Sequence, residues 1–230
     1  MLLTVARALG EPVGYRPEHG GATVQNLLPV RGTEATQTST SSAVDLEFHT
    51  ETAFHPHRPH HLLLTCLRSD SAASTYLCSV REVLPHLTAR ERAVLAEPRF
   101  RTRVDESFGG TPATPPGPPV AVLQGDPASP TLLFDADLMD GTDPEADAAL
   151  RRLAAVALER RLAVVLQPGD LLVVDNHACI HGRSSFAARY DGTDRWLQRA
   201  FVVDDLASSA PHRTGRTIDL DLTVGRHPVA

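Results

Sequence analysis

The sequence has no lysine, only three cysteines and no long hydrophobic run, and each shortage argues against a class of protein. All 22 basic residues are arginines, and a net charge of −6 without a basic cluster is not the electrostatic footprint of a nucleic-acid-binding protein. Cys66, Cys78 and Cys179 lack Cys-x-x-Cys spacing, which argues against a disulfide framework or a zinc ribbon. No apolar stretch approaches the roughly 20 residues that span a bilayer. Neither a nucleic acid nor a membrane is therefore expected as a partner.

The length and the cysteines predict one domain in a reducing compartment. A chain of 230 residues most simply forms a single domain over residues 1–230 with one core. The odd number of cysteines fits buried free thiols, and the first ten residues do not fit a signal peptide, so we expect a cytoplasmic protein. The partner left to consider is a small molecule.

The spacing of apolar residues and turn signals predicts a mainly β protein with some helices. Strands are expected at 22–30, 61–67, 74–80, 120–123, 131–134, 171–174 and 197–203. A helix is expected at 88–97, where Thr88 and Glu91 can form a capping box, and another at 143–166, with Pro144 in its first turn. Irregular structure is expected at 31–42, at 109–119 and from residue 207 onwards. Short strands with one long helix favour a distorted double-stranded β-helix, or jelly roll.

Two histidines and one glutamate have the spacing of ligands for a non-haem iron. One residue separates His49 from Glu51, and side chains two apart on a strand point to the same face. His181 would come from another strand, because the Val- and Leu-rich run 171–174 precedes it. Two imidazoles and a carboxylate can form a facial triad that leaves positions open on Fe(II) for a cosubstrate and O₂. His49, Glu51 and His181 are the predicted metal ligands.

Arg195, fourteen residues after His181, strengthens this interpretation because it completes a family pattern. The stretches that carry the pattern are LEFHTETAFHP (46–56), GDLLVVDN (169–176), HGRS (181–184) and YDGTDRWLQR (190–199). They resemble, in the same order, the motifs of the clavaminate synthase-like 2-oxoglutarate dioxygenases. Within that superfamily the chain is most similar to the free L-arginine and L-asparagine β-hydroxylases of peptide antibiotic pathways. The similarity extends from about Gly20 to Phe201, and the region before it is shorter than usual for the family.

The resemblance implies a cosubstrate site. Fe(II), 2-oxoglutarate and O₂ would be required, and succinate would be formed. Arg195 would pair with the distal carboxylate of 2-oxoglutarate, which its planar guanidinium suits. Thr75 would add a hydroxyl to the same carboxylate, unless it is an ordinary strand threonine.

The resemblance also implies how a free amino acid would be recognised. Arg199 would bind the substrate α-carboxylate, and Glu51 would accept a hydrogen bond from the α-amino group. Asp135 and Asp137, two apart on an extended segment, would bind a guanidinium; the alternative is a turn with solvated acids. Hydroxylation of L-arginine at Cβ (C3), in antibiotic or other secondary-metabolite biosynthesis, is the function this predicts.

Other functions remain open at this point. The same chemistry could act on asparagine, citrulline or lysine, or lead to desaturation or C4 hydroxylation. A catalytically silent metal-binding jelly-roll protein is a second possibility. A zinc hydrolase is a third and is disfavoured, because Glu51 would be used as a ligand and no spare general base is evident.

Further residues are assigned to the surroundings of the site. Loop 31–42 could fold over the substrate, with the hydroxyls of 39–42 close to it. Four histidines are expected to be solvated: His55, His57, His60 and His61. His177 is expected to lie at the pocket rim or to be exposed, because four strand residues span roughly 13 Å and one ion cannot take both His177 and His181.

Overall fold

A computed structural model describes residues 1–223, and within them the chain forms many short strands and four α-helices. The strands are β1 (Glu11–Tyr15), β2 (Gln25–Leu27), β3 (Leu46–His49), β4 (His61–Arg68), β5 (Thr75–Ser79), β6 (Phe100–Thr102), β7 (Leu123–Gln124), β8 (Thr131–Leu132), β9 (Met139–Gly141), β10 (Leu162–Val164), β11 (Leu171–Asp175), β12 (Cys179–Arg183), β13 (Trp196–Val203), β14 (Arg213–Thr214) and β15 (Thr217–Ile218). The helices are α1 (Leu2–Leu9), α2 (Val80–Val83), α3 (Ala89–Leu95) and α4 (Pro144–Arg160). The prediction of a mainly β protein with helices is confirmed.

Two sheets form the centre of the molecule. The larger has the strand order β11-β4-β13-β1-β15-β14, with β2 paired to β13. The smaller has the order β10-β5-β12-β3. Neighbouring strands in both are antiparallel except β1 and β15, which are parallel.

The small sheet lies between the large sheet and the layer formed by helices α2, α3 and α4. On one of its faces Cys78 and Ile180 pack into an apolar cluster with Leu153 of α4. On the other face the alternate residues Leu77 and Cys179 pack against the inner face of the large sheet. Helix α1 covers the outer face of the large sheet through Leu2 and Ala6. Side chains that point between the two sheets are thus shielded on both sides.

Helix α4 begins as expected but ends earlier. Asp143 caps it by accepting hydrogen bonds from the N–H groups of Glu145 and Ala146, at 3.0 and 3.1 Å. The helix ends at Arg160 rather than near residue 166, because Leu162–Val164 is taken into the small sheet against β5. Pairing with a strand distant in sequence outweighs the local helical pattern there.

Two further expectations need correction. The segments 61–67 and 74–80, which the sequence predicts as a pair of strands, are both strands, but β4 belongs to the large sheet and β5 to the small one. The described part of the stretch after residue 207 is not irregular throughout: β14 and β15 form a hairpin, β15 pairs with β1, and Ser209 and Ile218 are buried. The rest of that stretch, residues 224–230, lies outside the described residues. The strands expected at 120–123 and 131–134 are present as the two-residue strands β7 and β8.

In the part of the chain that the structure describes, no helix has the length and apolar character needed to cross a membrane.

The capping box of α3 supplies a test of the fold. Thr88 accepts a hydrogen bond from the Glu91 N–H at 3.2 Å, and the Glu91 carboxylate accepts one from the Thr88 N–H at 2.7 Å. We expect Thr88→Ala to lower the free energy of unfolding by about 1 kcal/mol, the usual effect of losing such a cap. Urea unfolding measures this, with Thr23→Ala, outside any helix, as the control. Equal midpoints for the two variants would contradict the cap's contribution.

Candidate active site

The predicted metal ligands come together at the edge between the two sheets. His49 ends β3, and His181 on β12 is its direct cross-strand partner, with ring centroids 4.3 Å apart. Glu51 joins them, and one ligand atom from each residue lies within 4.8 Å of the others. Antiparallel pairing of β3 with β12 is what brings the distant histidine to the local His-x-Glu motif.

The spacing of Glu51 from His49 predicted that both lie on one strand. The structure instead has Glu51 in the turn that follows that strand. Its backbone is held by Asn176, whose side-chain oxygen accepts from the Glu51 N–H at 2.7 Å. The Asn176 amide in turn donates to the carbonyls of Glu51 and Pro59, at 3.1 and 2.8 Å. Asn176 is fully buried, and although it lies in the GDLLVVDN motif, no local pattern marked it as a positioning residue.

The donor set fits a divalent iron. The Nδ1 atom of His49 lies 2.8 Å from the carbonyl oxygen of Glu47 and must donate to it, which leaves Nε2 for a metal. The Nε2 atom of His181 lies 3.3 Å from a carboxylate oxygen of Glu51, close to the separation of about 3 Å for adjacent ligands with metal bonds of roughly 2.0–2.2 Å. Two imidazoles and one carboxylate match Fe(II) better than zinc-type thiolate sets do.

The protonation states of these residues also suit a metal. Burial would raise the pKa of Glu51, but the Arg199 guanidinium and the two histidines outweigh it and lower the pKa to about 2. Burial, helped by His49, lowers the pKa of His181 to about 4. At neutral pH the site therefore presents an ionised carboxylate and a neutral imidazole, which are the metal-binding forms.

Arg195 is a buried cation without a carboxylate partner in residues 1–223. It is 9% exposed, and its hydrogen-bond partner is the hydroxyl of Thr75, at 3.3 Å from Nη2. Burial, together with the neighbouring Arg183, lowers the pKa of Arg195 to about 10. The predicted proximity of Arg195 and Thr75 is observed. A buried, uncompensated guanidinium at the wall of a cavity favours binding of an anion.

A second buried arginine, not anticipated from the sequence, ties the Thr- and Ser-rich loop 31–42 to β12, the strand that carries His181. Arg183 donates to the carbonyl and hydroxyl oxygens of Ser41, at 2.6 and 2.9 Å, and to the carbonyl of Val44 at 3.3 Å. Ser39 lines the cavity, whereas Ser41 and Ser42 are buried and do not lie on its wall. The loop thus reaches the site, as expected, and Arg183 fixes its base.

Arg199 is not a free cation but the centre of a buried hydrogen-bond network. Its guanidinium lies 2.8 Å from a carboxylate oxygen of Glu18 and 3.3 Å from one of Glu51. It also donates twice to the side-chain oxygen of Gln25, at 2.9 and 2.6 Å. Gln25 is the cross-strand partner of Arg199, and Glu18 lies in the turn after β1. No spacing in the sequence linked either residue to Arg199.

Asp135 and Asp137 do not lie on an extended segment, contrary to the prediction. The chain turns at 136–138, and one Asp135 oxygen, Oδ1, accepts the N–H groups of Asp137 and Leu138 at 3.0 and 2.8 Å. Asp135 is buried, and burial, opposed by His49, raises its pKa to about 6. Asp137 is exposed. The side chains nevertheless line the same cavity.

One open cavity contains all the residues predicted for the site. Those on its wall are His49, Glu51, Thr75, Asp135, Asp137, His181, Arg195 and Arg199. The unanticipated residues Glu18 and Arg183 line it as well. The charged side chains form two groups within it: Arg183 and Arg195 lie together, whereas Arg199 lies between Glu18 and Glu51.

The remaining histidines lie apart from the predicted ligands. His55 is buried against the ring of Tyr15, with centroids 4.9 Å apart, so the expectation that it is solvated was wrong. His177 lies in the turn between β11 and β12 and packs on His60, with centroids 4.5 Å apart. His177 is therefore not in the metal cluster, as expected, although its neighbour in space is another histidine.

The sequence and the fold match one family of known proteins. The model of the family described as taurine catabolism dioxygenase TauD, TfdA family, matches residues 2–201. L-Lysine 3-hydroxylase of Catenulispora acidiphila is 39% identical over 221 residues, which cover 93% of this chain and 62% of that protein. L-Asparagine oxygenase of Streptomyces coelicolor is 42% identical over 215 residues, covering 93% and 64%. The chain thus spans less than two thirds of the length of these relatives.

Two solved structures have the same fold. Asparagine oxygenase in complex with Fe(II), 3-hydroxyasparagine and succinate superposes with a TM-score of 0.91 at 40% identity, covering 95% of this chain and 69% of that one. The non-haem iron oxygenase OrfP with Fe, succinate and (3S)-hydroxy-L-Arg superposes with a TM-score of 0.85 at 33% identity, covering 95% and 70%.

Proposed function

This chain belongs to the TauD/TfdA family of dioxygenases, and on that premise we propose that it is an Fe(II)/2-oxoglutarate-dependent hydroxylase of a free L-amino acid. One observation carries the proposal: His49, Glu51 and His181 cluster in a cavity whose wall also includes Arg195, a buried cation with no carboxylate partner in residues 1–223. A metal-binding triad beside an anion site is what a chelating dicarboxylate cosubstrate requires. We further propose that the two sheets are the halves of the family's distorted jelly roll.

One set of residues would hold the metal, and another would bind the cosubstrate. His49, Glu51 and His181 would hold Fe(II) by one face. Arg195 and Thr75 would bind the distal carboxylate of 2-oxoglutarate and so orient its keto-acid end towards the metal. When bound, Fe(II) supplies the activation of O₂ that couples conversion of 2-oxoglutarate to succinate and CO₂ with oxidation of a substrate C–H bond. The protein contributes orientation and exclusion of water.

We propose L-arginine as the first substrate and Cβ (C3) as its site of hydroxylation, in antibiotic or other secondary-metabolite biosynthesis. Support comes from Asp135 and Asp137, which together form the acidic wall of the cavity. Asp135 uses only Oδ1 in the turn, and its Oδ2 has no hydrogen-bond partner within residues 1–223. Asp137 is exposed beside it. Two carboxylates on one side of a cavity suit a guanidinium.

Lysine is a second candidate substrate, and the same acidic wall supports it. An ammonium group could replace the guanidinium at Asp135 and Asp137, and the relative from Catenulispora acidiphila is a lysine 3-hydroxylase. Asparagine is the third, because the relative from Streptomyces coelicolor acts on it. Its neutral side chain would pair less strongly with two carboxylates.

The function is tested by turnover. The iron-loaded chain is incubated with 2-oxoglutarate and with L-arginine, L-lysine or L-asparagine, and succinate and the product mass are followed. We expect arginine to gain one oxygen atom. Turnover of another amino acid would support the proposed reaction but contradict arginine as the substrate. A product that has lost two hydrogens would indicate desaturation. An iron-loaded chain that forms no succinate with any amino acid would contradict the proposed activity.

The acidic wall supplies a mutational prediction. We expect Asp137→Asn and Asp135→Asn each to raise the KM for arginine by about 10- to 100-fold, the range for a lost charge-assisted hydrogen bond. The KM for 2-oxoglutarate should not change, because Arg195 and Thr75 are untouched. Steady-state kinetics with each substrate varied in turn measures both.

The matched control is Asp140→Asn, since Asp140 is exposed and pairs with Arg103 outside the cavity. It removes the same charge from the same segment and should leave both KM values unchanged. If arginine kinetics are the same in all three variants, the two carboxylates do not bind the side chain.

A further inference from the structure

Loop 31–42 supplies part of the cavity wall and has a compact structure of its own. Thr38 and Ser39 line the cavity. The loop is closed at its base, where the Val30 N–H donates to the carbonyl of Thr40 at 3.1 Å. Hydrogen bonds of 3.0 or 3.1 Å between hydroxyls join its four threonines, Thr33, Thr36, Thr38 and Thr40. A loop packed by its own side chains moves as a unit, so its position depends on its contacts with the rest of the protein.

Glu34 connects this loop to the segment that precedes Arg195. One carboxylate oxygen, Oε1, accepts a hydrogen bond from the hydroxyl of Tyr190 at 2.9 Å, and the other accepts the Gly32 N–H at 2.7 Å. The Glu34 carbonyl accepts the N–H groups of residues 42 and 43 at the end of the loop. Its own N–H, the Tyr190 hydroxyl and the Gly32 N–H hold the pKa of Glu34 below its usual value. The carboxylate is therefore ionised at neutral pH, which strengthens the hydrogen bond from Tyr190.

The backbone of Tyr190 is strained and is held by a buried carboxylate. Its φ of 57° lies in the left-handed region, which a tyrosine rarely adopts. Such a conformation persists only where the surroundings enforce it. The two carboxylate oxygens of Asp194 accept the N–H groups of Arg189 and Tyr190, both at 2.7 Å. Asp194 is buried and directly precedes Arg195, so one buried side chain fixes the turn that joins Tyr190 to the cosubstrate arginine.

We propose that Tyr190 and Glu34 are positioning residues, which hold loop 31–42 in place so that Thr38 and Ser39 form the wall of the amino-acid site. This inference rests on the proposed function and adds to it two residues outside the cavity, neither of which lines it. A wall that is already in place spares the amino acid the cost of ordering it. A displaced loop leaves the metal site open to water, whereas the cosubstrate site, formed by other residues, is retained.

Steady-state kinetics of two variants separates this role from general support of the fold. Tyr190→Phe removes the hydroxyl and keeps the ring, and Glu34→Ala removes the acceptor. We expect each to raise the KM for the amino acid on the order of 3- to 30-fold, because fewer molecules have the loop in place. More succinate should form without hydroxylated product, and the KM for 2-oxoglutarate should change by less than about 2-fold. The double variant should be no worse than the more affected single one, because both substitutions remove the same hydrogen bond.

Two kinetic outcomes would overturn the inference. An equal rise in both KM values would mean that Tyr190 supports Arg195 through Asp194 rather than the loop. Additive effects of the two substitutions would mean that Tyr190 and Glu34 act separately.

Hydrogen–deuterium exchange tests the position of the loop without turnover. In both variants the amides of residues 31–43 should exchange faster, on the order of 3- to 30-fold, whereas those of the hairpin at 213–218 should not change. Unchanged exchange of the loop, or faster exchange with an unchanged KM for the amino acid, would overturn the inference. If the unaltered chain turns over no amino acid, the proposed function fails, and exchange alone decides whether the two residues hold the loop.

Tyr76→Phe is the matched control. It removes the same hydroxyl, but the Tyr76 ring packs on the helix side of the small sheet beside Arg161 and does not line the cavity. Both KM values and the exchange of the loop should equal those of the unaltered chain. Thermal unfolding shows which variants are folded, and if Tyr190→Phe or Glu34→Ala is not, the other supplies both measurements.

Discussion

Replacing His181 by alanine is expected to abolish iron binding and, with it, all turnover. The substitution leaves one imidazole and one carboxylate in a cavity open to water. Loss of even an outer-shell partner of a metal ligand typically weakens metal binding about 10- to 100-fold, so removal of a direct ligand should exceed that. The fold should survive, because the cross-strand pairing of β12 with β3 and β5 is made by backbone groups.

Anaerobic titration with Fe(II), followed by dialysis and metal analysis, measures the effect. His177→Ala is the matched control, since His177 precedes β12 in the same connection but packs on His60 away from the cluster. The control should bind one iron, whereas His181→Ala should bind almost none. Iron bound equally by both variants would show that the cluster of His49, Glu51 and His181 is not the metal centre.

Replacing Arg195 by methionine is expected to eliminate productive binding of 2-oxoglutarate while the protein stays folded. Removing one partner of a buried ion pair costs about 3–5 kcal/mol, which corresponds to roughly 100- to several thousand-fold in affinity. Fe(II) binding should persist, because Arg195 donates its hydrogen bond to Thr75 and, among the described residues, forms no hydrogen bond with the three ligands.

The same substitution should not lower the stability of the ligand-free protein. Without cosubstrate, Arg195 is buried and has no carboxylate partner in residues 1–223, so methionine removes an uncompensated charge and keeps most of the volume. We therefore expect the unfolding midpoint of Arg195→Met to equal or exceed that of the unaltered chain. An ordinary structural arginine would show the opposite sign.

Thermal unfolding with and without 2-oxoglutarate measures both effects. The unaltered chain should be stabilised by the ligand, because a ligand that binds only the folded state raises its stability, and Arg195→Met should not respond. Arg189→Met is the control, since Arg189 is largely exposed and pairs with Asp70. Stabilisation of Arg195→Met by 2-oxoglutarate to the same extent as the control would contradict the assigned cosubstrate site.

The sequence could predict the candidate metal ligands because local features mark each of them. His49 and Glu51 are two residues apart, so any local backbone keeps them close, and the Val- and Leu-rich strand before His181 marks the second contribution. Arg195 follows from its fixed distance to His181 in a recognised motif. Asp135 and Asp137 reach the cavity as predicted, but on a turn, because the side chain of Asp135 bonds to the backbone of Asp137 and Leu138.

By itself the sequence predicted the strands β4, β5, β11 and β13, the capped start of α3, the first turn of α4, the candidate ligand set and the identity of the family, because each depends on residues close together or on motifs in order. Only the tertiary structure decided which strands share a sheet, where α4 stops, and which side chains surround Arg199. Glu18 and Gln25 meet Arg199 across 181 and 174 residues of chain, and no local signal encodes that meeting. Local hydrogen bonds and hydrophobic periodicity depend on residues within one short segment. The partner of a buried charge depends instead on which distant strands pair.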